Sequence, residues 1–354
     1  MKDTVTLPPH AQALLHTQGP AQRRALAKAI TLAESTRADH RAQADAMIDA
    51  LMPHTGGAFR LGISGVPGVG KSTFIEALGL YLVGRGLRVA VLAVDPSSSI
   101  SGGSILGDKT RMEQLSVHER AFIRPSPSAG TLGGVAEKTR EALLLCEAAG
   151  FDIVIVETVG VGQSETTVAG MTDLFLLLQL PNAGDDLQAI KKGVMELADL
   201  IVINKADLDA AAATRARAQI TSALRLLGLH ARDGVDPHAD PYPAVDRPAP
   251  WRPEVMQLSA LEGSGLPEFW ATVERFRASQ QAHGRLAARR HQQDEAWMWQ
   301  RIASGLQQRF DTHPGVRARL PGTLQKVRQG ELAPSLAARQ LLALLDGGPN
   351  PGPA

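Results

Sequence analysis

At 354 residues, with 44% hydrophobic and 21% charged side chains, the chain has globular composition and length for one large domain or several smaller ones. A net charge of +1 supplies no general attraction for nucleic acid or an anionic membrane, so neither is an expected partner. One cysteine excludes an intrachain disulfide and a thiolate metal cluster, and no apolar run approaches the roughly 18 residues of a membrane span.

Residues 1–19 are polar and proline-containing and are expected to be loosely held. Their start, MKDTVTLPPH, lacks the apolar core of a secretory signal, so a cytoplasmic protein is expected. Pro20 suits the first turn of a helix over Ala21–Ser35, with Leu26 and Ile30 on one face. A second helix is expected over Ala38–Leu51, ending before Pro53 and Gly56-Gly57.

The pattern changes at Phe59. An apolar run, Phe59–Ser64, leads into Gly65-Val66-Pro67-Gly68-Val69-Gly70-Lys71-Ser72, and a helical pattern follows from Thr73. This is G-x-x-x-x-G-K-[ST] in its required strand–turn–helix setting. Glycines let successive N–H groups turn inward as an anion nest, and the helix N-terminus adds partial positive charge. Lys71 is placed to reach β- and γ-phosphates, and the Ser72 hydroxyl to ligate Mg²⁺.

Further strands are expected at Arg88–Val94, Phe122-Ile123, Asp152–Val156, Leu174–Leu180, Leu200–Ile203 and Val255–Leu258. Helices are expected between them at Gly134–Ala149, Asp186–Leu197 and Ala210–Leu227. Continuous apolar runs alternating with helices imply an α/β domain, a doubly wound and mostly parallel sheet covered on both faces. Cys146, inside EALLLCEAAG, reads as a small buried apolar residue. Residues 230–253 hold six prolines and several aspartates and are expected to be loop.

Beyond about residue 284 the strands stop. Arg285–Phe310 is helical, with Trp299, Ile302, Ala303, Leu306 and Phe310 in a stripe at spacings of three and four. A middle segment around Leu324–Val327 precedes a last helix, about Pro334–Leu345. Trp297 and Trp299 outside the sheet domain need a covering surface, and a subunit interface is favoured because Trp is enriched in interface cores. The expected organisation is a helical segment over 1–57, a nucleotide-binding domain over 58–278 and a helical arm over 279–354.

Asn204-Lys205-Ala206-Asp207 directly follows the strand LIVI, and N-K-x-D there resembles the guanine-reading element of P-loop GTPases. An ionised Asp207 can accept from both the ring N1–H and the exocyclic amine of guanine, a pair adenine does not present. Lys205 can lie across the base, and Asn204 can tie the segment to the phosphate loop. Ser259-Ala260-Leu261, after the next strand, resembles the companion S-A-x element, whose backbone N–H can meet the guanine carbonyl.

Four stretches narrow the resemblance: Asp95–Ser99 (DPSSS), Gly103–Met112 (GSILGDKTRM), Glu157–Glu165 (ETVGVGQSE) and Pro181–Gly193 (PNAGDDLQAIKKG). They resemble the MeaB/ArgK/MMAA family of GTPases, the G-protein chaperones of adenosylcobalamin-dependent acyl-CoA mutases such as methylmalonyl-CoA mutase. The likeness runs from about residue 20 to 275. It implies a P-loop NTPase sheet of the SIMIBI type, GTP and GDP as nucleotides, Mg²⁺ as metal, a homodimer held by the C-terminal arm, and such a mutase as partner. Cofactor-binding residues are then Gly65, Val66, Pro67, Gly68, Val69, Gly70, Lys71, Ser72, Thr73, Asn204, Lys205, Asp207, Ser259, Ala260 and Leu261.

The resemblance makes Lys71, Asp108 and Glu157 the candidate catalytic residues, and Ser72, Asp95, Asp108 and Glu157 the candidate metal neighbours. Glu157-x-x-Gly160 stands where Ras-like proteins have D-x-x-G, delivering a carboxylate one methylene longer. Asp108 either approaches Mg²⁺ or orients the attacking water. Gln163 invites comparison with the Ras-like water-positioning glutamine, at a different offset from its glycine. The segment Gly184–Lys192 is either a solvated helix start or a third switch facing the mutase. Two other readings stand beside the chaperone. A nickel-type maturation GTPase would need a His and Cys cluster, whereas ten His are scattered here with one Cys. A kinase tied to amino-acid transport would need an acceptor site.

Overall fold

A computed structural model describes residues 8–94, 112–125, 132–158, 164–181, 192–226 and 251–345. The described chain forms two compact units, one ending at Arg290 and one starting at His291.

The first unit is built on a seven-stranded sheet of β1 (Phe59–Gly65), β2 (Val89–Val94), β3 (Ala121–Arg124), β4 (Ile153–Thr158), β5 (Leu174–Gln179), β6 (Leu200–Ile203) and β7 (Glu254–Gln257). The order is β3-β2-β4-β1-β5-β6-β7, and every pairing is parallel. The chain winds from β1 to one side and then returns to the other. That places the crevice for a ligand beyond the carboxyl ends of the central strands.

The apolar runs look continuous because both faces are covered. On one face Leu92, Val94, Val154, Val156, Phe175, Leu177, Ile201 and Ile203 enter one core; on the other Phe59, Leu61, Ile63, Val91, Ile155, Leu176, Leu178 and Val202 enter a second. Alternate residues of each strand go to opposite sides, as the pleat requires.

The first core is shared with α1 (Pro9–His16), α2 (Gly19–Glu34) and α3 (Ala38–Leu51), which contribute Leu14, Leu26, Ile30, Met47 and Leu51. The expectation of a loose start is therefore corrected for α1. Ala11 and Leu14 are fully buried, and Gln22 of α2 donates to the carbonyls of Leu14 and Ala149. These helices lie against α6 (Leu132–Ala148), where Arg41 of α3 bridges Glu137 and Glu141. Cys146 is fully buried in the same core. The second core holds α4 (Lys71–Gly84), α5 (Glu113–Val117) and α10 (Leu266–Ala282). The remaining helices of this unit are α7 (Ser164–Ala169), α8 (Lys192–Leu197) and α9 (Ala210–Leu226).

At the amino ends of three strands an aspartate caps the neighbouring chain. Asp152 accepts from the Arg88 N–H at 2.7 Å, Asp173 from the Arg60 N–H at 2.8 Å, and Asp199 from the Phe175 N–H at 2.8 Å. The last two also receive consecutive arginines. Arg290 holds Asp173 through Nε at 2.7 Å and Nη2 at 2.6 Å, and Arg289 reaches Asp199 at 3.0 Å. Both arginines lie in the opening turns of α11 (Arg285–Thr312).

The helix Leu266–Ala282 runs through the 278–279 boundary expected from the sequence, and the division into units falls after Arg290 instead. The second unit contains the rest of α11, then α12 (Pro314–Arg328) and α13 (Pro334–Leu342). The middle segment expected around Leu324–Val327 is part of the longer helix α12, which carries Pro321 inside it. Within this unit Val316, Ala337 and Leu341 are buried, whereas Trp299 and Leu306 are 59% and 57% exposed.

Candidate functional site

The site lies at the carboxyl edge of β1, β4, β6 and β7. Leaving β1, the chain turns through Gly65–Gly70 and enters α4 at Lys71. Val66, Pro67 and Gly68 are exposed at the tip, while Gly65 and Val69 are buried at its base. No side chain caps the start of α4, and its first backbone bond runs from Phe74 N–H to Gly70 O. The amino end of this helix faces the crevice, where its partial positive charge can meet an anion.

Lys71 folds over its own loop, donating to Gly65 O at 2.6 Å and to Val66 O at 3.3 Å. The ammonium is thus held beside the anion nest rather than in bulk water. Ser72 is half-buried and Thr73 exposed. Glu157 is 8% exposed near the end of β4, in register with Ile63 of β1. Beside it, Thr158 donates to the Ser64 hydroxyl at 2.9 Å, with both residues buried. This hydroxyl link between β1 and β4 was not singled out from the sequence. A threonine after an acidic residue and a serine before a glycine carry no pattern of their own.

Asn204 organises the base end. Its Nδ2 donates to Val69 O of the phosphate loop at 2.9 Å, and its Oδ1 accepts from the Ala260 N–H at 3.1 Å. One buried side chain therefore joins three sequence-distant elements. Gly70 is required at this contact. It has φ +93°, and a Cβ there would sit 2.7 Å from Asn204 Nδ2.

Lys205 is the one non-glycine residue with positive φ among the described residues, at 60°. A side chain in that left-handed conformation costs about 1–2 kcal/mol, repaid here by the turn it permits. Ala206 N–H then donates to Leu258 O at 3.1 Å, and Asp207 follows on the exposed side. Ser259 N–H pairs with Ser264 O, and its hydroxyl accepts from the Glu262 N–H, folding Ser259-Ala260-Leu261 into a tight loop beside Asn204. A guanine oxygen placed at the Ala260 amide would share or replace the bond to Asn204. Leu261 is 79% exposed at the rim.

The structure thus brings together Gly65–Thr73, Glu157, Asn204, Lys205, Asp207 and Ser259–Leu261 at one sheet edge. Asp95, Asp108 and Gln163 lie outside the described residues, as do 184–191 of the candidate third switch. Ser72 and Glu157 are hard oxygen donors, the ligand chemistry that suits Mg²⁺. A Mg²⁺ held by one or two protein groups together with phosphate oxygens needs no larger cluster, and none of three or more metal-binding side chains occurs among the described residues.

Comparison with known proteins identifies the family. The model of the family described as "Methylmalonyl Co-A mutase-associated GTPase MeaB" matches residues 26–315. A protein of Caulobacter vibrioides named "Putative GTPase" is 55% identical over 93% of this chain and 96% of its own length. "GTPase ArgK" of Escherichia coli is 47% identical over 90% of this chain and 92% of its own. The mouse "Methylmalonic aciduria type A homolog, mitochondrial" is 46% identical over 91% and 76% respectively. A solved structure titled "Crystal structure of LAO/AO transport system kinase" is similar at a TM-score of 0.69 and 38% identity, covering 95% of this chain and 96% of that one. A phosphate loop and a guanine-type loop bound to each other by Asn204, in a chain matched over this extent, leave one assignment: the protein is a GTPase and belongs to the MeaB family.

Proposed function

We propose that this GTPase is a Mg²⁺-dependent chaperone of an adenosylcobalamin-dependent acyl-CoA mutase, gating the loading, protection or reactivation of the mutase's cofactor. The observation that carries the proposal is the family match over residues 26–315, which spans the sheet domain and reaches into the C-terminal helices. The nickel-maturation alternative has no comparable support.

In this mechanism the amides of Gly68–Thr73 and the Lys71 ammonium hold the β- and γ-phosphates. Lys71 exchanges its bonds to Gly65 O and Val66 O for phosphate oxygens. Water attacks the γ-phosphorus while the bond to the β–γ bridging oxygen breaks, giving GDP and phosphate. Lys71 neutralises charge growing on the bridging oxygen. Asp108 orients the water or takes its proton. Ser72, with Glu157 nearby, would hold Mg²⁺, which supplies further neutralisation of the phosphate oxygens when bound. Asp207 and the Ser259–Leu261 loop select guanine. The C-terminal arm forms a homodimer, and the stripe of Trp299, Ile302 and Leu306 is its contact surface.

The test is GTP turnover with and without purified candidate mutases, for the parent and for Asp185→Ala/Lys191→Ala. The mutase should raise turnover of the parent, and the double variant should lose that response while keeping its intrinsic rate. By linkage, a mutase that prefers one nucleotide state must shift nucleotide affinity by the same factor. A parent indifferent to every adenosylcobalamin-dependent acyl-CoA mutase sinks the chaperone role. Collapse of intrinsic turnover in the double variant returns the segment to the nucleotide site.

A further inference from the structure

The short helix α5 is the first described element after the stretch that carries Asp95 and Asp108. Only five residues long, it has no cap of its own, since Met112 at its N-cap position makes no side-chain bond to it. A helix this short is not stable by itself. Its unsatisfied leading amides are taken by another helix. Glu76 Oε1 accepts from the Gln114 N–H at 2.9 Å and the Leu115 N–H at 3.2 Å, with Oε2 3.3 Å from the latter. These are the two positions that a side-chain cap normally serves, and a carboxylate there also meets the positive end of the helix.

Two further contacts fix the same element. Leu115 is fully buried against Gly79 of α4, so closely that a Cβ on Gly79 would lie 2.3 Å from Leu115 Cδ2. At the other end, Arg23 of α2 donates to Ser116 O at 3.4 Å and His118 O at 3.3 Å. Met112, four residues after Asp108, is itself fully buried. Glu76 and Gly79 lie on α4, one and two turns beyond Lys71 and Ser72. One rigid helix therefore carries both the phosphate-binding residues and the anchor for the chain leaving Asp108.

We infer that Glu76 is a positioning residue for GTP hydrolysis: by capping α5 from α4 it sets where the chain after Asp108 attaches relative to the γ-phosphate site. This rests on the reading of Asp108 as a residue of the hydrolytic step. Glu76 touches neither nucleotide nor metal in this scheme. Its removal should act on the chemical step and spare ground-state binding of GDP.

The experiment uses the full-length protein with Glu76→Ala, Glu76→Gln, Gly79→Ala and, in parallel, Asp108→Ala. Readouts are single-turnover GTP hydrolysis, GDP affinity and amide exchange of residues 112–118. Glu76→Ala should lose exchange protection at Gln114 and Leu115 and slow hydrolysis about fivefold or more, with GDP affinity within about twofold. Glu76→Gln keeps an acceptor oxygen and should retain most of the rate. Gly79→Ala leaves Glu76 in place but displaces a flexible Leu115 side chain, and should slow hydrolysis in the same sense without depending on the first variant. Parental hydrolysis in variants whose α5 amides have lost protection overturns the inference, because the cap is then structural only. Slowing by Asp108→Ala alone also overturns it while leaving the Asp108 reading intact. Slowing by Glu76→Ala with no effect of Asp108→Ala supports the anchoring and rejects the Asp108 reading.

Discussion

Asn204 and Val69, 135 residues apart in sequence, are joined by a buried hydrogen bond of 2.9 Å that fixes the Asn204–Asp207 loop to the Gly65–Gly70 loop. Removing the amide leaves Val69 O without that donor and the Ala260 N–H without its acceptor. Each such loss costs about 1–3 kcal/mol. Asn204→Ala should therefore weaken GTP and GDP together, by about tenfold to a hundredfold, in a fluorescent-nucleotide titration. Gly70→Ala should do the same by pushing on the same nitrogen. Loss confined to GTP would mean that the link serves the γ-phosphate and not the shared scaffold.

Base choice is tested at Asp207. In Asp207→Asn the amide presents an NH₂ to a guanine donor and cannot accept twice, a mismatch costing on the order of several kcal/mol if the pair is buried. Xanthine, with a carbonyl in place of the amine, suits the variant better. Competition between GTP and XTP should reverse in favour of XTP. Undiminished GTP binding with no response to XTP would remove Asp207 from the base site.

The fold has a buried charge pair whose removal is predictable. Glu147, with a fully buried side chain, accepts from Arg60 Nε and Nη2 at 2.9 Å each and from the Gly56 N–H at 2.9 Å. Glu147→Gln leaves the guanidinium uncompensated and should lower unfolding stability by about 3–5 kcal/mol. The apolar double variant Arg60→Met/Glu147→Leu should recover most of that in urea titration, because two desolvation penalties disappear together. A double variant as unstable as the single one would show that the Gly56 contact, not the ion pair, dominates.

Stability should also depend on pH through Glu141. Burial pushes its carboxyl up to about 7 against the opposing pull of Arg41, with Asp45 adding to the rise and Lys138 resisting it. A folded-state value above the unfolded one means that the native state binds the extra proton. Its contribution is complete below the unfolded value and is lost as pH climbs through about 7. Relative to Glu141→Gln, the parent should lose about 1–3 kcal/mol between about pH 5 and 8 in urea unfolding. An unchanged difference across that range contradicts the shift.

Assembly is tested on the exposed stripe. Trp299→Glu/Leu306→Glu places two charges where a subunit contact would bury apolar surface and should yield monomers by light scattering, with nucleotide affinity unchanged. Truncation at His283 is a poorer test, because it would strip Arg289 and Arg290 from Asp199 and Asp173 inside the sheet unit. Persistent dimers in the point variant would put the interface elsewhere.

Most of the sheet was legible in the sequence because a parallel strand covered on both faces needs an unbroken apolar run, and LFLLLQ or LIVI can hardly be anything else. The helix Ala38–Leu51 followed from its bounding proline and glycines. Helix α1 was missed because it offers little apolar pattern beyond Ala11, Leu14 and Leu15 in proline-bearing surroundings, and its burial comes from α2 and α3. Helix α12 was reduced to a short stretch because Pro321-Gly322 sits inside it, where propensity argues against helix but the chain continues regardless. The G-x-x-x-x-G-K-S and N-K-x-D motifs were legible in the sequence, and both lie at strand ends in the structure. Glu76 was not, since a carboxylate capping a different helix leaves no spacing to find.

The three aspartates at the amino ends of β4, β5 and β6 give the sheet two unlike edges. There, strand ends are stapled sideways by carboxylates, and two of those carboxylates are stapled again by Arg289 and Arg290. At the opposite edge the chain is handed to loops. Under the proposed function, exchange of one nucleotide for another would work against this stapled edge, so a displacement at the phosphate loop would be turned toward the opposite edge. Under the proposed chaperone role, rigidity on the far side is what would make the near side a signal.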